Sequence, residues 1–152
     1  MSALLLLGAA LLSPVDPANG VVSPLRPEEI GSALTFEAYR PNQVALGYSL
    51  RKAEMLFIGT ASGGRKQVLR LHYTNLNSWN SFDLIQMPAT PGLATRDAIH
   101  EVMKLKVMDV PNDPSMTIVF RRRGNTEIGF YGSMLSVPFA ETLVDDMVAI
   151  RR

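Results

Sequence analysis

His72 and His100 are the only imidazoles in the chain, and there is no cysteine. Composition thus excludes disulfides, thiol catalysis and cysteine-based zinc sites. His100 is followed directly by Glu101, a spacing unlike the HExxH pair that binds metal from one helix face. His72 falls on the polar side of an alternating strand pattern, and both histidines read as ordinary surface residues. No serine lies in a GxSxG elbow, since Gly129-Phe130-Tyr131-Gly132 lacks the serine and lies within a strand. Glu28-Glu29 reads as a helix start and Asp145-Asp146 as a helix's solvent face. Neither is a carboxylate pair poised for acid–base work. The glycines at 59, 63 and 64 form neither GxxxxGK nor GxGxxG, so no phosphate cradle is indicated. The residues point to no catalytic, metal or cofactor site, and the expectation is a domain that is not an enzyme.

Two features suit recognition instead. Arg121-Arg122-Arg123 is the densest basic run, able to meet acidic head groups or an acidic partner. The same run also fits a solvated hairpin end, where charge guards an edge strand against aggregation. Trp79 is the only tryptophan and sits in the polar stretch 75–80. It reads either as a recognition side chain or as a cover for the margin of the core. Trp79, Arg121, Arg122 and Arg123 are therefore the candidate partner-binding residues.

The elements that must position them follow from hydrophobic periodicity. Pro27-Glu28-Glu29 opens a short helix to about Leu34, proline and acidic residues both suiting a first turn. Residues 36–39 extend toward Arg40-Pro41. Residues 48–58 form a strand in which Tyr48 and Leu50 have one parity and Ala53, Met55 and Phe57 the other, which predicts a bulge near Lys52. After a turn at 61–64, Leu69, Leu71 and Tyr73 alternate with Val68, Arg70 and His72, as in a half-buried antiparallel strand. Further strands are expected at 82–87 and 99–108, the second followed by a turn at 111–114. A tight hairpin at Arg123-Gly124-Asn125-Thr126 should join strands 116–122 and 127–132, with Ile118, Phe120, Ile128 and Phe130 facing the core. Ser136 reads as the N-cap of a closing helix whose apolar face is Phe139, Leu143, Val144, Met147 and Val148, with Arg151-Arg152 at its negative end. The expected fold is α+β: a mostly antiparallel sheet of five to six strands, a short N-terminal helix, and a C-terminal amphipathic helix packed on one face.

Length and charge set the wider bounds. At 152 residues the chain suits one domain with one sizeable core. A net charge of +1 lacks the basic excess of a nucleic-acid binder, so none is expected as a partner. Residues 1–12 include an unbroken apolar run, ALLLLGAALL, shorter than the ~20 residues that span a bilayer. Three readings stand: an export signal, the end of a membrane helix, or an apolar segment docked on the domain. Residues 13–27 hold four of the prolines and read as a linker, leaving 28–152 as the single α+β domain.

The order of small motifs along 27–152 resembles a known family. Glu28-Glu29 precedes Phe36-Glu37-Ala38-Tyr39-Arg40-Pro41, and then Gly47-Tyr48-Ser49-Leu50. Leu71-His72-Tyr73, Phe82-Asp83-Leu84-Ile85-Gln86 and the run from Ile128 through Gly132 to Ser136 follow in turn. This order is similar to the C-terminal, extracytoplasmic sensor-like domain of bacterial anti-sigma factors, related to MucB/RseB-type lipoprotein-carrier-like regulators. The stretch Gln43-Val44-Ala45-Leu46 lacks the proline usual before Gly-Tyr, and no sigma-binding helices are present in these residues. The resemblance implies a non-catalytic sensory domain outside the cytoplasm, close to a membrane, that binds a protein partner or a small apolar ligand. The alternative is a lipid or lipoprotein carrier that holds acyl chains between sheet and helix, with the chain's eight methionines as an adaptable lining.

Overall fold

The computed structural model describes residues 22–44, 47–59, 64–92 and 115–152. Strands β1 (Ser23–Leu25), β3 (Tyr48–Gly59), β4 (Arg65–Asn75), β5 (Ser81–Pro88), β6 (Met116–Arg123) and β7 (Thr126–Ser133) form one sheet, in the order β1-β3-β4-β5-β7-β6. Every pairing in it is antiparallel. A 3-10 turn at Pro27–Glu29 runs into α1 (Ile30–Ala33). The longer helix α2 (Val137–Asp145) follows β7. Strands β2 (Tyr39–Pro41) and β8 (Met147–Ala149) make a separate two-stranded ribbon. The fold is α+β and dominated by the antiparallel sheet, as the periodicity predicts.

The β3 bulge forms where parity breaks: the β3–β4 register shifts between Leu50 and Lys52. Arg51 is the extra residue, and it returns Ala53 and Met55 to the side already taken by Tyr48 and Leu50. That side, the front face, carries the larger core, including Leu69, Leu71, Tyr73, Phe82, Leu84, Ile128 and Phe130. Helix α2 closes it with Ala140, Leu143 and Val144, while Ile30 and Leu34 close it from the N-terminal side. Two buried glutamines tie the accessory pieces to the sheet. The Gln86 side chain accepts from the Tyr39 N–H and donates to the Tyr39 carbonyl, both at 2.7 Å, which fastens β2. Gln67 accepts from the Thr35 N–H at 2.6 Å and donates to the Ala33 carbonyl at 3.1 Å, which fastens the end of α1.

Four expectations are corrected. Ser23–Leu25 is not linker: it pairs with Ala53–Met55 as an edge strand, a position that tolerates Pro24. The closing helix stops at Asp145, and Met147 and Val148 continue as β8 against β2 because that ribbon satisfies their backbone groups. Arg151 and Arg152 accordingly lie beyond the helix end. Ile118 and Phe120 face the back of the sheet, because Val119, not its neighbours, stands opposite Phe130. The polar parity of β4 is not solvated either: Val68 joins a second apolar cluster with Leu56, Ile58, Ile85, Met87 and Tyr131, and Arg70 is buried beside it. The strand expected at 99–108, the turns at 61–63 and 111–114, His100 and segment 1–12 lie outside the described residues.

Candidate functional site

Three connections meet at one end of the sheet: the segment leading into β3, the β4–β5 loop, and the β7–α2 loop. Each has a local reason for its shape. In the β4–β5 loop the Asn75 carboxamide oxygen accepts from the Asn77 N–H at 2.9 Å. Backbone bonds from Trp79 N–H to the Asn75 carbonyl (2.7 Å) and from Asn75 N–H to the Asn80 carbonyl (2.8 Å) close it. In the β7–α2 loop the Thr117 hydroxyl donates to the Leu135 carbonyl, and Ser136 caps α2 by accepting from the Phe139 N–H at 3.2 Å. A layer of rings lies beneath. Phe82 stacks on Tyr73 and Phe130 with centroids 4.9 and 5.1 Å away, and Tyr48 leans on Phe82 and Phe139 at 5.3 and 5.9 Å.

On that footing stand Val44, Leu76, Trp79, Met134 and Val137, which are all the exposed large hydrophobic side chains among the described residues. Trp79 does not fold back onto the core; it is 78% exposed. It is also held at φ 60°, and Met134, equally exposed, at φ 56°. Left-handed backbone at a non-glycine residue costs energy and persists where the surrounding bonds impose it.

Next to this end, a cavity of about 600 Å³ opens between α2 and the segment before β3. Val44, Pro138, Phe139 and Leu143 give it an apolar lining, and Gln43, Thr142 and Asp146 supply polar groups. The arrangement suits an apolar side chain or small apolar molecule steered by a few polar atoms. Between sheet and helix lie Phe82, Phe130, Ala140, Leu143 and Val144, all in the buried core.

The basic run lies at the opposite end, on the β6–β7 hairpin, where Gly124 takes φ +55° in a two-residue loop. The structure does not leave these arginines as a loose cationic patch. Arg121 donates to Asp145 at 2.9 Å and lies 3.5 Å from Glu141, and the hydrogen bond to Asp145 helps hold its pKa above the usual arginine value. Arg123 donates to the Asp145 backbone carbonyl at 2.8 Å, at the negative end of α2, and lies over the Tyr39 ring at 5.5 Å. Arg122 is exposed and donates to the Gly124 carbonyl at 3.3 Å. Two of the three thus fasten α2 and β2 to the sheet.

The back face holds a polar ladder that sequence reading missed. Asp83 Oδ1 accepts from Arg70 Nε at 2.7 Å and lies 2.9 Å from His72 Nδ1. Thr74 Oγ1 is 3.2 Å from His72 Nε2, and Arg70 reaches Glu54 at 3.2 Å. Hydroxyl, imidazole and carboxylate stand in the order used by nucleophilic hydrolases. The same carboxylate oxygen is shared with the Arg70 guanidinium, so Asp83 is a node that ties β4 to β5. Arg70, His72 and Thr74 recur at a spacing of two, which places them on one strand face. Only the β4–β5 register sets Asp83 opposite His72.

Among the described residues no group of three or more histidine, aspartate or glutamate side chains is arranged to hold a metal ion. No helix there is long and apolar enough to cross a membrane. No protein-family model matches the chain, and no curated protein matches it.

Proposed function

We propose that this chain is a non-catalytic binding domain, the extracytoplasmic sensory part of a membrane-linked regulator of the anti-sigma type. The observation that carries the binding role is the cavity beside α2, with Val44, Phe139 and Leu143 on its apolar side and Thr142 and Asp146 at its polar one. Such a site takes an apolar side chain from a partner protein or a small apolar ligand. The regulatory role and the compartment are supported by the order of motifs from Glu28-Glu29 through Gln86 to Ser136.

The test uses a fluorescent apolar probe, anilinonaphthalene sulfonate, with the folded chain. Binding should raise its emission saturably, and Thr142→Trp, which fills the cavity from the exposed side of α2, should abolish most of the increase. If the probe ignores the wild-type protein, or if Thr142→Trp binds it equally well, the cavity is not the binding site.

A further inference from the structure

We propose that the loop end of the sheet is a membrane-contacting surface that lowers Trp79, Leu76, Met134 and Val137 into the interfacial layer of an electrically neutral bilayer. This goes beyond the cavity reading and does not depend on it.

Three observations converge. The first is position: of the five exposed large hydrophobic side chains among the described residues, Leu76, Trp79 and Met134 lie in the loops at this end and Val137 opens α2 beside them. Exposed apolar side chains scattered singly need no explanation, but gathered at one end they mark a contact surface. The second is geometry. The two most exposed of them, Trp79 and Met134, are also the only non-glycine residues at positive φ among those described. Their loops are closed by the Asn75 turn and by the Thr117 and Ser136 bonds, so these side chains are fixed outward and not merely left loose.

The third is charge, and it selects the occupant. Among the described residues, the stretches 42–44, 47–50, 73–82, 115–120 and 132–140 at this end contain no Asp, Glu, Lys, Arg or His. Their polar side chains are Asn, Gln, Ser, Thr and Tyr. A protein-binding patch ordinarily carries a polar rim with charged groups that set orientation and partner choice. A bilayer imposes the opposite condition, since each charge carried into it costs free energy while neutral hydrogen-bonding groups sit well among the head groups. Tryptophan, with an apolar body and one N–H, concentrates at that depth. The arginines of the β6–β7 hairpin lie at the far end and stay in water when the loops are lowered.

Trp79 is the only tryptophan of the chain, so its emission reports this surface alone. The apolar run 3–12 can carry the chain to vesicles by itself. The readout is therefore the contact of Trp79 with lipid and not vesicle binding. The full chain is mixed with phosphatidylcholine vesicles containing a lipid brominated along its acyl chain. The expected result is a blue shift and quenching of Trp79, unchanged at about 0.5 M salt, where exposed charges are screened within a few ångströms. Met134→Asp and Leu76→Asp keep the reporter and should each weaken the quenching about tenfold, part of the full cost of placing aspartate in hydrocarbon. Their circular dichroism should match the wild type. If one fails to fold, the other decides.

Three results would overturn the proposal. Trp79 emission unchanged by neutral vesicles is one. Vesicle binding that needs anionic lipid, vanishes with salt and leaves Trp79 unquenched is another, and it would point to attachment through the hairpin arginines at the far end. The third is a blue-shifted Trp79 without lipid in a chain that sediments as a dimer, which would make a second copy the occupant. The probe test of the cavity reads Thr142 and is unaffected by any of these outcomes.

Discussion

At the hairpin end of the sheet, Arg121 and Arg123 reach across to Asp145 and Glu141 and hold α2 against β6. At the loop end, Trp79 and Met134 are each 78% exposed on left-handed backbone. The charged end is prominent in the sequence yet engaged within the molecule, while the apolar end is quiet in the sequence and largely open to solvent. Charge density along the chain is therefore a poor guide to a binding surface here. Exposure weighed against local rigidity separates the two ends better, because an exposed apolar side chain fixed by its loop stabilises nothing in the monomer.

The comparison is sharpest where the loop end rests on its ring layer. Phe82→Ala removes the ring on which Tyr48, Tyr73 and Phe130 pack and should lower stability by roughly 3–5 kcal/mol, measured by urea denaturation. A loss below about 1 kcal/mol would mean that the layer is not what supports these loops.

Tyr73 in the same layer gives a smaller effect that depends on pH. Burial pushes its phenol up to about 12. The folded state thus holds this proton more tightly than the unfolded chain, whose tyrosines ionise near ~10. The stability tied to it is complete below about pH 10 and is lost as pH rises through about 12. Absorbance titration at alkaline pH should show Tyr73 ionising late, and Tyr73→Phe should flatten the fall in melting temperature over that range.

At the hairpin end Arg121→Ala should cost no more than about 1 kcal/mol, because its pairs with Asp145 and Glu141 are partly exposed and screened by solvent. Trp79→Ser should change stability by less than about 0.5 kcal/mol, the ordinary range for a surface position. If urea denaturation showed Trp79→Ser destabilising more than Arg121→Ala, the contrast between the ends would be reversed, and Trp79 would be a structural residue.

Much of the fold is legible along the chain, and the reasons are local. Proline and two glutamates start the first helix at Pro27, a break in parity announces the bulge at Arg51, and Arg123-Gly124-Asn125-Thr126 sets the hairpin. Ser136 caps α2 as its sequence implies. The structure departs from local pattern where a distant partner decides the matter. Met147 and Val148 fit the helical spacing, yet pairing with Tyr39–Pro41 draws them into a strand. Ser23–Leu25, rich in loop-forming residues, becomes an edge strand because β3 offers a free row of hydrogen-bonding groups. At the candidate site, Trp79 stands out as a lone aromatic in a polar loop. Leu76, Met134 and Val137 do not, since nothing in their own neighbourhoods says that the two loops lie at the same end.

The α+β class, the strand periodicity, the absence of cysteine chemistry and the charge-free composition of the loop segments can all be read along the chain, because each is a property of neighbouring residues. Long-range pairing alone sets Asp83 beside Arg70 and His72, brings the arginine run to α2, and gathers three loops distant in sequence at one end of the sheet. Antiparallel pairing joins residues far apart along the chain. The register that joins them is fixed by which faces of the sheet can be buried together, a condition that no local stretch of sequence contains.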